Sequence, residues 1–126
     1  MTAPSEPVRV LVADDNEAFL EATVRVVDGV SEFVLVGAVR SGEEAVEEAD
    51  AAAPDMVLLD VRMAGIGGLE AARRIHARRP GVLVVLLTAD SALADVVETD
   101  GVTVALDKRS LSRAAVAEQW RLHGRR

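Results

Sequence analysis

The strongest constraint on the fold is an unbroken apolar run that is closed by a carboxylate. The stretch Met56–Asp60 consists of four apolar residues followed by an aspartate. Such a run is typical of a strand buried on both faces, in the middle of a sheet covered by helices. In open α/β sheets, ligands bind beyond the carboxyl ends of the strands. Asp60 is therefore predicted to lie at a functional edge of the sheet or, alternatively, to cap the turn that follows.

Four further strands and five helices are predicted from the apolar periodicity. The other strands are predicted at Val8–Ala13, Phe33–Val39, 82–88 and 102–106, and the helices at about 17–28, 42–52, 68–78, 91–100 and 111–122. Ser41 and Ser110 are the predicted N-caps of the second and last helices. His76, in the third helix, is predicted to be a surface histidine. The alternation of strands and helices predicts a parallel sheet with helices on both faces.

Length and composition narrow the class of protein. A chain of 126 residues suits one domain over 1–126, and we expect residues 1–7 to be disordered and 123–126 to form a tail. The absence of cysteine excludes disulfides and thiolate sites and fits a cytoplasmic protein. The net charge of −7 argues against direct nucleic-acid binding. We expect neither a signal peptide nor a membrane span, because no segment has the required apolar pattern.

Five polar side chains stand at the carboxyl ends of four predicted strands. They are Asp14 and Asp15 after the first strand, Asp60 on the third, Thr88 on the fourth and Lys108 just beyond the fifth. Parallel strands bring these ends to one edge. Three carboxylates there would bind a hard divalent cation, with Mg²⁺ favoured, although Asp14 or Asp15 could instead merely cap the next helix. A carboxylate can also attack phosphorus, while a lysine and a hydroxyl hold the phosphoryl oxygens.

This pattern resembles the response-regulator receiver domain of two-component signalling. The motifs that carry the resemblance are Asp14-Asp15-Asn16, Leu58-Leu59-Asp60-Val61-Arg62-Met63, Thr88-Ala89 and Leu106-Asp107-Lys108, in matching order and spacing. The resemblance covers the chain from about residue 8 to residue 122. It implies a flavodoxin-like (βα)5 fold, a doubly wound parallel sheet with strand order 2-1-3-4-5.

The resemblance also implies a role for each residue at the predicted edge. Asp60 would accept a phosphoryl group from the histidine of a partner kinase or phosphotransfer protein. Thr88 and Lys108 would contact that group. The Mg²⁺ ligands would be Asp15, Asp60 and the backbone carbonyl of Arg62, with Asp14 assisting through water. The chain would then be a signalling switch that acts through protein partners, and not a small-molecule enzyme.

The chain departs from the family pattern at several positions near the site. Ala64 stands where the family usually has proline, Gly67-Gly68 where it has Asp-Gly, Ala105 where it has the switch aromatic, and Arg109 where proline is common. Ala105 removes the usual relay from the threonine to an aromatic ring. Two other functions therefore stay open: a scaffold of the same fold that binds partners without phosphorylation, and a phosphohydrolase that uses Asp60 on a small substrate.

Overall fold

One parallel sheet organises the protein. The computed structural model describes residues 6–89 and 103–124. The strands are β1 (Val8–Ala13), β2 (Phe33–Val39), β3 (Met56–Asp60), β4 (Leu83–Thr88) and β5 (Thr103–Asp107). They pair in parallel in the order β2-β1-β3-β4-β5. The predicted flavodoxin-like topology is thereby confirmed. The predicted helix at 91–100 and the predictions for residues 1–5 and 125–126 fall outside the described residues.

Helices connect the strands that the structure describes. They are α1 (Glu17–Asp28), α2 (Gly42–Ala52), α3 (Gly67–Arg78) and α4 (Arg113–His123), with a short 3-10 helix at Lys108–Ser110. Ser41 caps α2 as predicted, because its Oγ accepts a hydrogen bond of 3.1 Å from the Glu44 N–H. Among the described segments, no helix combines the length and apolarity needed to cross a membrane.

The start of α4 differs from the prediction. Ser112, and not Ser110, caps this helix, since its Oγ accepts a hydrogen bond of 3.0 Å from the Ala115 N–H. The reason lies in the preceding turn, where the Asp107 side chain accepts from the Arg109 N–H at 2.8 Å. This local bond stabilises a separate 3-10 turn directly after β5. The α-helix therefore begins only at Arg113.

Two apolar layers cover the faces of the sheet. One layer packs Val10, Val12, Leu58 and Val85 of the strands against Leu20 and Val27 of α1 and Val116 of α4. The other packs Leu11, Val57, Leu59 and Leu86 against Ala45 and Ala49 of α2 and Ala71 and Ile75 of α3. Every residue of β3 is buried, which confirms the prediction of a central strand. Small alanines at the helix contacts let α2 and α3 lie close to the sheet.

His76 is a structural residue, and the prediction of a surface histidine is wrong. Its side chain is half-buried. Its Nε2 lies 3.1 Å from the carbonyl oxygen of Val82, and its Nδ1 lies 3.1 Å from Oγ1 of Thr103. A carbonyl oxygen can only accept, so this geometry fits the tautomer with hydrogen on Nε2. The imidazole thereby ties α3 to the start of β4 and to β5.

Candidate functional site

The carboxyl ends of β1 and β3 bring three carboxylates together. Asp14 follows β1 directly and Asp60 ends β3, and these strands are hydrogen-bonded neighbours. One carboxylate oxygen from each of Asp14, Asp15 and Asp60 lies within 4.8 Å of the other two. Asp14 and Asp60 are only 1% and 5% exposed, whereas Asp15 faces solvent. Close packing of like charges in a buried setting is unfavourable unless a cation compensates for it.

Lys108 supplies part of that compensation. Its Nζ lies 3.1 Å from Oδ2 of Asp14 and 3.1 Å from Oδ1 of Asp60. It is the only lysine in the chain, and its side chain is 17% exposed. One ammonium offsets one of the three carboxylate charges in the cluster. The described site therefore keeps an excess of negative charge that a bound cation would relieve.

Burial dominates the ionisation of Asp60. Removal of the carboxyl from water raises its pKa above the ordinary value, and the nearby Asp14 carboxylate raises it further. The hydrogen bond and positive charge of Lys108 act in the opposite direction, as does the backbone N–H of Arg62. The net result is a raised pKa, because loss of hydration outweighs the stabilising partners. Asp60 is thus a buried carboxyl group whose partners are one lysine and one backbone donor.

The acidic pair after β1 does not cap α1. Asn16 is the N-cap, and its Oδ1 accepts a hydrogen bond of 2.9 Å from the Phe19 N–H. Oδ1 of Asp14 accepts from the Asn16 N–H at 2.9 Å and so fixes the turn. Oδ2 of Asp15 reaches across to the next loop and accepts from the Ala64 N–H at 2.8 Å. The family's usual proline would have no N–H to offer at this position.

The loop between β3 and α3 packs tightly on Asp60. A side chain at Gly68 would collide with the carbonyl oxygen of Asp60. Gly67 adopts a φ of +79°, a conformation that L residues rarely adopt. Glu43 of α2 holds the loop from outside by accepting the Ile66 N–H at 3.1 Å. The glycine pair therefore meets a steric and a conformational demand, and lies beside the candidate site.

Thr88 is the predicted site residue on β4, and Ala105 is the position on β5 that departs from the family pattern. Thr88 ends β4 and is 2% exposed. It follows Leu87, the residue paired with Asp60 in the β3–β4 ladder, so it lies at the same edge as the acids. Ala105 lies in the middle of β5, opposite Leu86. Arg62 lies just beyond β3 with an exposed side chain, and its carbonyl remains a predicted ligand only.

Phe19 is the residue that sequence reasoning missed. The centroid of its ring lies 4.1 Å from the Lys108 Nζ, which is a cation–π distance. Apolar periodicity explains Phe19 as a core residue of α1, and that pattern carries no information about a lysine that follows β5. Phe19 lies in the first turn of α1, shortly after Asp14, Asp15 and the N-cap Asn16. This position is the signal that could have indicated its place at the site.

Comparison with known proteins decides the family. Residues 10–111 match the family described as the response regulator receiver domain. The chain belongs to this family. The resemblance drawn from the strand-end residues is therefore confirmed.

Curated relatives and solved structures agree with this assignment. The receiver domain is 41% identical over 81 residues to the response regulator GacA of Pseudomonas viridiflava, covering 64% of this chain and 38% of GacA. It is 37% identical over 81 residues to the response regulator UvrY of Escherichia coli K12, covering 64% of this chain and 37% of UvrY. The chain thus spans less than two fifths of the length of these relatives. The signal receiver domain of the response regulator NarL from Mycobacterium tuberculosis matches with a TM-score of 0.77 at 29% identity, over 90% of this chain and 96% of that one.

Proposed function

We propose that the receiver domain is a phosphorylation-driven switch in which Asp60 accepts a phosphoryl group with the help of a divalent cation. The observation that carries this proposal is the setting of Asp60. It is a buried carboxylate at the end of a central strand, with two further carboxylates beside it and a lysine 3.1 Å away. This combination suits a nucleophile that must receive a highly charged group. Membership of the response regulator receiver family supports it.

The proposed transfer uses a histidine kinase or a phosphotransfer protein as the donor. A carboxylate oxygen of Asp60 attacks the phosphorus of a phosphohistidine. The new P–O bond forms as the P–N bond breaks, and the imidazole leaves with the electron pair and takes up a proton. Lys108, already in contact with Asp60, stabilises the negative oxygens of the phosphoryl group, and the Thr88 hydroxyl donates to them. The negative charge that develops on the phosphoryl oxygens is therefore stabilised by Lys108 and Thr88, which already lie at the carboxyl ends of the strands.

Mg²⁺ fits the donor set of the site. All candidate ligands are oxygens, which hard cations prefer, and Lys108 offsets only one of the three carboxylate charges. Asp15, Asp60 and the backbone carbonyl of Arg62 would hold the ion, with Asp14 acting through water. When bound, the ion would neutralise charge on the transferring group.

Intact mass after incubation with acetyl phosphate and Mg²⁺ tests the acceptor. We expect the wild type to gain the mass of one phosphoryl group and Asp60→Asn to gain none. Asp55→Asn is the matched control, because Asp55 lies just before β3, at the amino end of the strand and away from Asp60. Its carboxylate accepts a hydrogen bond of 2.9 Å from the Arg9 N–H. This variant should be phosphorylated like the wild type. Phosphorylation of Asp60→Asn would refute the assignment of Asp60.

Thermal unfolding with and without Mg²⁺ tests the metal site. Binding to the folded state alone should stabilise it by about 1.4 kcal/mol when free Mg²⁺ is about ten times its Kd. Asp15→Ala should abolish the shift, whereas Asp55→Ala should retain it. A melting temperature that does not respond to Mg²⁺ would contradict the proposed site.

A constitutive scaffold is the second candidate function, and Ala105 is the observation that favours it. A methyl side chain has no rotamer to change, so β5 offers no ring that could turn inward after phosphorylation. A wild type that gains no phosphoryl mass, together with partner binding that Asp60→Asn does not alter, would favour the scaffold over the switch.

A further inference from the structure

We propose that Phe19 is a positioning residue for Lys108, and that its ring holds the lysine ammonium at the place where phosphoryl transfer to Asp60 requires it. The inference rests on the proposed function of Asp60 as acceptor. It assigns a task in that reaction to an aromatic residue of α1 that otherwise looks like an ordinary core residue.

Three contacts surround the Lys108 ammonium among the residues that the structure describes. The group carries three hydrogens to donate. Two directions are taken by Oδ2 of Asp14 and Oδ1 of Asp60, each at 3.1 Å. The Phe19 ring lies over the same nitrogen, with its centroid at 4.1 Å, well within the range of about 6 Å for a cation–π contact. The ring thus takes a side of the ammonium that water would otherwise occupy.

The backbone of Phe19 is fixed by two hydrogen bonds, and its side chain packs against the core. The Phe19 N–H donates to Oδ1 of Asn16 at 2.9 Å, and the Phe19 carbonyl oxygen accepts from Oγ1 of Thr23 at 2.9 Å. Thr23 is fully buried, and the Phe19 side chain packs against the core layer beneath α1. Lys108, by contrast, is a point charge on a flexible chain of four carbons. A fixed ring next to a flexible side chain restricts the flexible partner.

A neutral ring suits this task better than a further carboxylate would. A third anion would attract the ammonium away from Asp60, whereas the face of a ring offers a weaker and uncharged attraction. When Asp60 attacks a phosphoryl donor, the new negative oxygens arrive beside an ammonium that is already oriented. Because such preorganisation avoids rearrangement during the reaction, loss of the ring attraction should slow the transfer without removing any reacting group.

The contact can be observed directly because the chain has a single lysine. Protein labelled with ¹³C and ¹⁵N in lysine gives a single set of lysine side-chain signals, all from Lys108. Its Cε protons should be shifted by the ring current of Phe19 and should lose that shift in Phe19→Leu. Phe33→Leu is the control, since Phe33 is the first residue of β2 and lies at the amino end of that strand, away from the carboxyl ends where Asp60 and Lys108 lie. An unchanged lysine signal in Phe19→Leu would overturn the inference.

A fluorination series separates the charge attraction from the shape of the ring. Phenylalanine with one, two or three fluorine atoms is placed at position 19 by site-specific incorporation, which weakens the negative ring face and largely preserves packing. The reaction measured is attack of the Asp60 carboxylate on acetyl phosphate with Mg²⁺ present, in which acetate leaves with the electron pair. We expect its rate to fall stepwise by about two- to fivefold in total. The same series at Phe33 should have no effect, and Phe19→Tyr should keep most of the rate.

The outcomes distinguish this inference from the function on which it rests. A phosphorylated wild type whose rate is the same throughout the series at position 19 overturns the positioning role alone. A wild type that gains no phosphoryl mass refutes the proposed function and the positioning role with it. A stepwise loss of rate at position 19, with no loss at position 33, supports both.

Discussion

Replacement of Asp60 by asparagine should make the receiver domain more stable at neutral pH when divalent cations are absent. Asp60 is a buried carboxyl group whose pKa is raised, chiefly because burial removes its hydration. Asparagine has nearly the same shape, and its amide oxygen can accept the hydrogen bond from Lys108. The substitution therefore removes an unfavourable charge and leaves Lys108 paired with Asp14.

The size of the effect follows from the distances in the site. With an effective dielectric constant of about 20, Lys108 at 3.1 Å attracts Asp60 by about 5 kcal/mol, and each carboxylate within 4.8 Å repels it by at least about 3.5 kcal/mol. Repulsion from Asp14 and Asp15 together, about 7 kcal/mol on the same scale, therefore exceeds the attraction. The cost of burying the charge remains and exceeds the difference between a charged and a neutral hydrogen bond. We expect Asp60→Asn to stabilise the fold by about 1–2 kcal/mol and to raise the Tm by about 3–10 °C.

The effect should depend on pH with a defined sign. Because the folded state raises the pKa of Asp60, the native protein binds more protons than the unfolded chain between the two pKa values. Asp60 in its protonated form contributes to the stability of the wild type. This contribution is fully present below the pKa of Asp60 in the unfolded chain, and it is lost as pH rises through the pKa of Asp60 in the folded protein. Asparagine does not titrate. The stability advantage of Asp60→Asn should therefore grow with pH over this interval and stay constant above it.

Urea unfolding in the presence of a chelator, at a series of pH values from about 4 to 8, measures this difference. Asp107→Asn is the matched control at another strand end. Its carboxyl has a pKa lowered to about 2 by the hydrogen bonds from Arg109, so removal of that charge should not stabilise the protein at neutral pH. An Asp60→Asn variant less stable than the wild type at neutral pH, or a difference independent of pH, would refute the reasoning.

Three further substitutions test the surroundings of the site by urea unfolding. Gly68→Ala should cost about 1–3 kcal/mol, because the new methyl group meets the carbonyl oxygen of Asp60; an unchanged stability would show that the loop can move away. Ser112→Ala should cost about 1 kcal/mol through loss of a cap, whereas Ser110→Ala should change stability by less than about 0.5 kcal/mol; equal effects would contradict the observed start of α4. His76→Ala should lower the free energy of unfolding by about 1–3 kcal/mol, because Val82 and Thr103 lose their hydrogen bonds to the imidazole. An unchanged free energy of unfolding would contradict the structural role of His76.

Much of the fold could be predicted because the relevant information is local. The run Met56–Asp60 has no polar residue until its last position, so it has to be buried on both faces, as β3 is. Alternation of strands and helices requires parallel strands, and parallel strands bring their carboxyl ends to one edge. Asp14, Asp60 and Thr88 therefore come together without any knowledge of side-chain contacts.

Local patterns failed where a distant or competing partner decided the outcome. Ser110 and Ser112 are equally good caps by residue type, and the bond between Asp107 and the Arg109 N–H settled the choice. His76 appeared to be a surface residue because its partners, Val82 and Thr103, lie on other elements. Neither result follows from the apolar period of the helix in question.

The sequence by itself determined which residues reach the carboxyl edge of the sheet, and only the tertiary structure decided how they interact there. Lys108 and Asp14 are 94 positions apart, yet their charged atoms lie 3.1 Å from each other. The raised pKa of Asp60 depends on how much water the assembled layers exclude. The ring of Phe19 reaches Lys108 only because the fold brings the first turn of α1 close to the residue that follows β5. The pattern and order of the strands fix the position of a residue to about one residue spacing. Hydrogen bonds and charge interactions depend on distances to tenths of an ångström. Side chains reach that accuracy of placement only when the whole chain is packed.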